Sequence, residues 1–460
     1  MNMHLKQRFR FILLAGTIVF IFSGCNSSRH TDVTGLNNAG GVNGIEEIKH
    51  VVVIYMENHS FDNLYGEFRG ANGLNKASKK SITQLDQDGK PYQYLPAIPL
   101  SSEFPTNMPN NFFNIDQYIP SDKETPDVTH SYYQERIQIN GGKMNLFAAY
   151  NFTAGMTMGY YKTNLLPLYP LAKQYTLCDN FFHSAFGGSF LNHQWLIAAA
   201  TPSFFNAPQY LRAELDSSGK MVKDGLLTPD GYAVNTVYSV NQPHPAGVTE
   251  SDLVPNQTNP TIGDRLSEKN ISWAWYAGGW DSAIAGKASP FFQYHHQPFV
   301  YFEKYADGTE AKKEHLKDEE DFFNAAREGT LPAVSFVKPL GINNEHPGYA
   351  NIIAGETHAV KLINAVLNGP NGKDAVVILT YDENGGFWDH VSPPVIDKWG
   401  PGTRVPTIVI SPFAKKNYVD HTLYETVSIL AFIEKRWNLK PLTGRDANAN
   451  PFEGAFDFGK

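Results

Sequence analysis

The 460-residue chain carries a formal net charge of −8, with 42% hydrophobic and 13% aromatic residues and only two cysteines, Cys25 and Cys178. An acidic balance of this kind argues against nucleic acid or an anionic membrane as a partner held by charge, and two cysteines exclude a disulfide framework. Stability must come from a large packed core, for which the apolar content suffices.

Taken in chain order, the first signal is Lys6, Arg8 and Arg10 ahead of an apolar run from Phe11 to Phe22. That run is too short to span a bilayer comfortably and reads as a secretory signal over residues 1–24. Its end, Ile21-Phe22-Ser23-Gly24-Cys25, resembles the lipobox of bacterial lipoproteins, with Phe22 in place of the usual Leu. Cys25 would then be the lipidated first residue of an exported protein in the periplasm or outer envelope; the alternative is ordinary cleavage nearby and secretion. Loss of residues 1–24 removes three basic side chains and no acid, leaving −11. Residues 25–45, rich in Asn, Ser and Gly, read as a flexible tether. No similar linker recurs and there is no internal repeat, so 46–460 is read as one catalytic domain.

The first apolar run of that domain, Ile48 to Met56, passes directly into Glu57-Asn58-His59-Ser60-Phe61-Asp62. A Pro-, Gly- and Asn-rich stretch follows at 70–128, and a second at 200–262; both are expected as loop insertions forming a small cap. Between them, Gly187-Gly188-Ser189 leads into Phe190-Leu191-Asn192-His193-Gln194-Trp195-Leu196, which can continue as a helix. Two glycines let backbone approach a ligand closely, and a serine opening a helix sits where N–H groups and the helix dipole favour an anion. Ser189 is therefore a candidate nucleophile, against the reading of a plain helix cap. Further apolar runs occur at Ile271 to Tyr276, Ala333 to Val337, Ala375 to Tyr381 and Val405 to Ile410, with helical periodicity at Thr357 to Asn368 and Thr422 to Trp437. Continuous apolar strands alternating with helices predict an α/β sandwich with a mostly parallel central sheet.

In such sheets ligands bind beyond the carboxyl ends of the strands. The run ending at Tyr381 delivers Asp382-Glu383-Asn384-Gly385-Gly386 there, as the run ending at Met56 delivers Glu57 and Asn58. Adjacent acids at a strand end repel unless a cation lies between them, so the two clusters together predict a metal site. His130, His295, His296 and His346, each in polar or Gly/Pro-flanked sequence, are the histidine candidates. HExxH, CxxC, GxSxG and GxxxxGK[ST] are all absent.

VVVIYMENHSFDNLYG, His130 to Phe147 with its NGGKM, CDNFFHSAFGGSFLNHQW, YHHQPFVYF, NEHPG and TYDENGGFWDHVSPP, in that order, resemble the bacterial acid phosphatase and phospholipase C phosphoesterase family over residues 46 to 440. The resemblance implies an alkaline-phosphatase-like core and one divalent metal ion held by Glu57, Asn58, Ser189, Asp382 and Glu383. It further implies Ser189 as nucleophile and His130, His295, His296 and His346 around the phosphoryl group. Two positions depart from the family pattern: His59 stands where Arg is usual and Asn63 where His is frequent. The segment Gly-Gly-Ser-Phe-Leu-Asn-His is closer to the acid phosphatase branch than to the phospholipase branch, which has Thr followed by Pro-Asn-Arg.

The expectation is thus an exported acid phosphatase working on small phosphorylated substrates through a phosphoserine, with His346 as the acid for the leaving group. The alternative within the family is a phospholipase C acting on phospholipid. Five oxygen donors suit Ca²⁺, Mg²⁺ or Mn²⁺ better than Zn²⁺. A sulfatase is excluded because Ser189-Phe-Leu-Asn-His lacks the C/S-x-P-x-R motif, and a non-catalytic surface lipoprotein would have no use for this donor set.

Overall fold

The computed structural model describes residues 44–99 and 102–459; the expected signal segment, Cys25 and the tether up to residue 43 lie outside the described residues. Eight strands form the central sheet: β1 His50–Met56, β2 Thr176–Cys178, β3 Trp273–Ala277, β4 Leu316–Asp318, β5 Val334–Lys338, β6 Ala375–Tyr381, β7 Thr407–Ile410 and β8 Tyr418–Asp420. Their order is β8-β2-β7-β6-β1-β5-β3-β4, and β7 alone runs antiparallel to its neighbours β6 and β2. The α/β architecture with a mostly parallel sheet is as the sequence predicts.

Why these segments are strands is visible in their burial. All seven residues of β6 and six of the seven in β1 are buried, so both faces of the strand are covered and apolar β-branched residues are favoured throughout. The register then fixes the functional edge. β1 and β6 pair from His50↔Ala375 to Met56↔Tyr381, so Glu57 and Asp382 leave neighbouring strands at the same level. On the other side of β1, β5 pairs through Ile54↔Val337 and ends at Lys338. With strands about 4.8 Å apart, three adjacent strand ends deliver Glu57, Asp382 and Lys338 to one place.

Helices cover the sheet: α1 Phe61–Tyr65, α2 Tyr132–Ile139, α3 Ser189–Ala198, α4 Glu319–Glu328, α5 Ile352–Leu367 and α6 Thr426–Trp437. Helix α5 starts five residues before the expected Thr357, because Asn351 caps it by accepting a hydrogen bond from the Ala354 N–H at 2.9 Å. Helix α6 starts at Thr426 rather than Thr422. Tyr424 and Glu425 instead pair with Phe181 and Phe182 in a short parallel ladder, and Glu425 and Ser428 form the capping box. The 70–128 and 200–262 stretches are largely irregular and contribute residues such as Asp127 and Asp224 to the walls of the pocket that Ser189 lines.

The antiparallel strand β7 is entered from the functional edge, which places Arg404 there. Arg404 is fully buried; its Nε and Nη2 donate to Asp389 at 2.9 and 3.1 Å, Nη2 to Asp62 at 3.1 Å, and Nη1 to the carbonyls of Asn72 and Asp179 at 2.8 and 2.7 Å. One guanidinium thereby ties the loop after β1, the loop after β6 and the segment after β2 together. Removing one partner of a buried ion network strands the other charges, at a cost of about 3–5 kcal/mol. Arg404→Met should lower unfolding free energy in urea by about that much; a variant within about 1 kcal/mol of wild type would show that the network contributes little.

Candidate active site

Ser189 is the first residue of α3, not its cap: Gly188 holds the cap position. Its Oγ donates toward Glu57 Oε2 and Asn58 Oδ1, both at 3.2 Å. The turn before it is braced from two directions. The Gly187 N–H donates to Glu135 Oε2 of α2 at 2.6 Å, and Asn192 Nδ2 reaches back to the carbonyls of Ala185, Gly187 and Gly188. Gly187 has φ +84°, and a Cβ there would lie 2.5 Å from the Tyr132 backbone. Gly187 therefore makes room for the His130 to Tyr132 segment, while Gly188 lines the pocket beside Ser189.

The acidic loops close on the same hydroxyl. Asp382 Oδ1 accepts from the backbone N–H of Asn58 at 3.3 Å and of Glu383 at 2.8 Å, and Glu383 Oε2 accepts from the Gly385 N–H at 2.6 Å. Asn58 has φ +63°, which asparagine tolerates, and Gly385 has φ +62° with its Cα so close to Asn58 that a Cβ would meet the Asn58 carbonyl oxygen at 2.1 Å. Glycine at 385 is thus a requirement of bringing the two loops together. Of the five residues expected to hold a metal, all buried, Glu57, Asn58 and Ser189 touch directly, and Asp382 and Glu383 join them through the Asn58 N–H and the adjoining backbone.

Electrostatics test whether that set fits a cation. Burial raises Asp382 well above the ordinary carboxylate range and the charge of Glu57 adds to it; burial and then Asp382 do the same to Glu383. Glu57 goes the other way, because His296 and Lys338 outweigh its burial and hold it well below that range. Among the described residues, Asp382 Oδ2 and Glu383 Oε1 accept no hydrogen bond. Buried, mutually repelling carboxylates with unpartnered oxygens fit a divalent cation.

Three of the four expected histidines, His130, His295 and His346, line a pocket of about 510 Å³ together with Ser189. The fourth, His296, does not face that pocket; its Nε2 lies 2.7 Å from Glu57 Oε1. His130 and His346 turn Nδ1 to the carbonyls of Val128 and Pro347, which puts the ring proton on Nδ1 and leaves Nε2 facing inward, 3.8 Å from Glu383 and 3.9 Å from Glu57. Such nitrogens serve as bases or ligands when neutral and as donors to an anion when protonated.

A model of the phosphoesterase family matches residues 48–440. The chain belongs to the phosphoesterase family. It is 26% identical to the hemolytic phospholipase C of Pseudomonas aeruginosa over 90% of this chain and 56% of that one, and 27% identical to the non-specific phospholipase C1 of Arabidopsis thaliana over 89% of this chain and 71% of that one. Against the phospholipase C B of Mycobacterium tuberculosis the figures are 23%, 90% and 78%. The chain thus spans little more than half the length of the hemolytic relative. Among solved structures, a protein in the alkaline phosphatase superfamily from Vibrio parahaemolyticus matches with a TM-score of 0.37 at 9% identity, over 73% of each chain.

Within this phosphoesterase the two departures from the family pattern meet each other. His59 Nδ1 lies 2.7 Å from Asn63 Oδ1, four residues on, and His59 Nε2 lies 3.2 Å from the Glu345 carbonyl. Burial lowers His59 to about 4, so this pair is a neutral, buried brace outside the Ser189 cluster. Two further residues, Lys338 and His193, join the site. Lys338, fully buried, contacts Glu57 Oε1 and stands 3.9 Å from Asp382 Oδ2; His193, also buried, lies 2.7 Å by Nδ1 from the Ser189 carbonyl and 3.8 Å from Asp382 Oδ2. Both were signalled: Lys338 directly follows an expected strand, and His193 is one helical turn beyond Ser189. The expected oxygen-only donor set is therefore bordered by imidazole, with Glu57, His193 and His296 presenting ligand atoms within 4.8 Å of one another.

Behind the site lie two buried acids, Glu345 and Glu356. Tyr381 donates to Glu345 Oε2 at 2.9 Å and the Leu168 N–H to Glu356 Oε2 at 2.7 Å. Burial pushes Glu356 up to about 8 from an ordinary 4.5, and burial together with Glu356 also raises Glu345 well above its ordinary value. The stability such raised acids contribute is fully present below 4.5, where both folded and unfolded chains are protonated, and is lost as pH rises to about 8, by at most about 1.4 kcal/mol per pH unit for each proton. Glu356→Gln should therefore gain melting temperature relative to wild type progressively from pH 5 to pH 8. A difference that stays constant with pH would mean that Glu356 ionises in the folded state at its ordinary value.

Proposed function

We propose that this phosphoesterase hydrolyses phosphate monoesters in two steps, with Ser189 as nucleophile. The observation that carries the reading is the convergence of Ser189 Oγ with Glu57 and Asn58 at 3.2 Å, with Ser189 lining a pocket together with His130, His295 and His346. Glu57, Asn58, Ser189, Asp382 and Glu383 would hold one divalent cation, Ca²⁺, Mg²⁺ or Mn²⁺ in preference to Zn²⁺. When bound, that cation supplies positive charge that favours the Ser189 alkoxide.

The remaining roles fall to the protein. Glu57 Oε2 is placed to accept the Ser189 proton. The N-terminus of α3 adds its partial positive charge at the attacking oxygen. As the Ser189 oxygen bonds to phosphorus, the bond to the alcohol breaks and the alcohol leaves with a proton, for which His346 is the proposed donor. His130 and His295 line the pocket and would donate to the phosphoryl oxygens; burial and then His296 hold the His295 imidazole well below its usual range, so it donates as the neutral ring. Water then attacks phosphorus, releases phosphate and returns Ser189 to its hydroxyl form. Export, with a lipid on Cys25 or by secretion, belongs to the same proposal.

A second reading, cleavage of phospholipid head-group diesters, is favoured by the phospholipase C names of the relatives and by Phe152 and Leu226, apolar residues 51% and 36% exposed at the pocket. A monoester presents three free oxygens to the histidines, whereas a diester presents two and needs an apolar approach. On one metal-loaded preparation near pH 6, kcat/KM for p-nitrophenyl phosphate should exceed that for p-nitrophenylphosphorylcholine by at least about tenfold, or about 1.4 kcal/mol. Preference for the choline diester, or release of diacylglycerol from phosphatidylcholine at comparable efficiency, would replace the monoesterase reading by the second one.

A further inference from the structure

The strand-end carboxylates face two ways. On one side Glu57 Oε2 and Asn58 Oδ1 meet Ser189 Oγ, where the metal is proposed. On the other, Glu57 Oε1 meets both Lys338 Nζ and His296 Nε2, and Asp382 Oδ2 faces Lys338 Nζ at 3.9 Å and His193 Nδ1 at 3.8 Å. His193 stacks on His296 with ring centroids 5.0 Å apart and planes within 5°. Because His193 Nδ1 is engaged by the Ser189 carbonyl, its ring proton resides there and Nε2 carries a lone pair; that atom is buried and has no hydrogen-bond partner among the described residues. A carboxylate and two imidazoles, all buried, make a donor set for a borderline cation such as Zn²⁺ or Co²⁺.

What sits on the shared Glu57 oxygen instead is an ammonium group. A lysine with no exposed surface is expensive at the end of a buried strand unless its charge is used, and here the Nζ reaches Glu57, Asp382 and, at 3.5 Å, the Met56 carbonyl. We infer that Lys338 fills a second cation position formed by Glu57, His193 and His296, so that this cluster is a metal site closed by a lysine and only the Ser189 side is left for a metal ion. The inference rests on the one-metal reading above and assigns Lys338 as a positioning residue: it anchors Glu57 Oε1 and leaves Oε2 for Ser189.

The test is metal stoichiometry in the full chain reconstituted with Co²⁺, read by elemental analysis and by visible absorption. Wild type should bind one cobalt per chain. Lys338→Ala removes both charge and bulk and should bind a second ion, with the absorption of imidazole-ligated cobalt, and adding His193→Gln should abolish the gain. Lys338→Met removes the charge but fills the space and should stay at one. A folded Lys338→Ala chain that gains no ion, or equal gains in the Ala and Met variants, would overturn the inference and reduce Lys338 to charge balance. Should Lys338→Ala fail to fold, His193→Gln in the wild-type background decides: unchanged cobalt count and spectrum support a closed second position, and a loss of cobalt or a spectral change overturns it. Wild type that binds no cobalt and turns over in chelator would instead sink the one-metal reading, while the gain of an ion on Lys338→Ala would still stand.

Discussion

Three carboxylates, Glu57, Asp382 and Glu383, are buried at the carboxyl edge of a parallel sheet, where burial and neighbouring acids raise the cost of charge on Asp382 and Glu383 while His296 and Lys338 keep Glu57 ionised. Water cannot reach them, so their charge has to be balanced by groups the fold itself brings in or by a bound cation. The rest of the site is arranged around that requirement. Lys338 arrives on the neighbouring strand β5, His296 and His193 back the same carboxylates, and Ser189 is delivered by the first turn of α3.

The scaffold supplies the precision. Register between β1 and β6 sets Glu57 and Asp382 level, and Arg404, entering on the antiparallel β7, fastens the loops that follow both strands. Glu135 and Asn192 fasten the turn that presents Ser189. Side chains held by several polar partners lose little further freedom when a substrate docks, which is how a fold preorganises a site. The cost is borne in the backbone, where Asn58 sits at positive φ directly against Gly385.

Much of this could be read from the residues in order. Runs such as Val51 to Met56 and Val376 to Tyr381 are long, apolar and buried on both faces, so their strand character and the polar residues at their ends stood out together. The strands β2, β4 and β8 have three residues each, too few for any periodicity, and are defined by pairing with partners distant in the chain. The same limit applies within the site. The resemblance sets His296 beside His295 around the phosphoryl group, whereas the turn at Tyr294 to His296 points the two rings differently, one to the pocket and one to Glu57. The buried brace between His59 and Asn63 was legible only as two separate departures, since nothing in sequence shows that they touch.

The account turns on Ser189 being covalently phosphorylated rather than merely placed near the acids. Protein mixed with p-nitrophenyl phosphate and quenched in acid within a turnover should yield, on digestion and mass spectrometry, one phosphorylated peptide with the phosphate on Ser189, and none from a Ser189→Ala chain, whose kcat should fall by about 10³-fold or more. Turnover by Ser189→Ala near the wild-type rate, with no phosphopeptide from either protein, would contradict it and assign the attack on phosphorus directly to water.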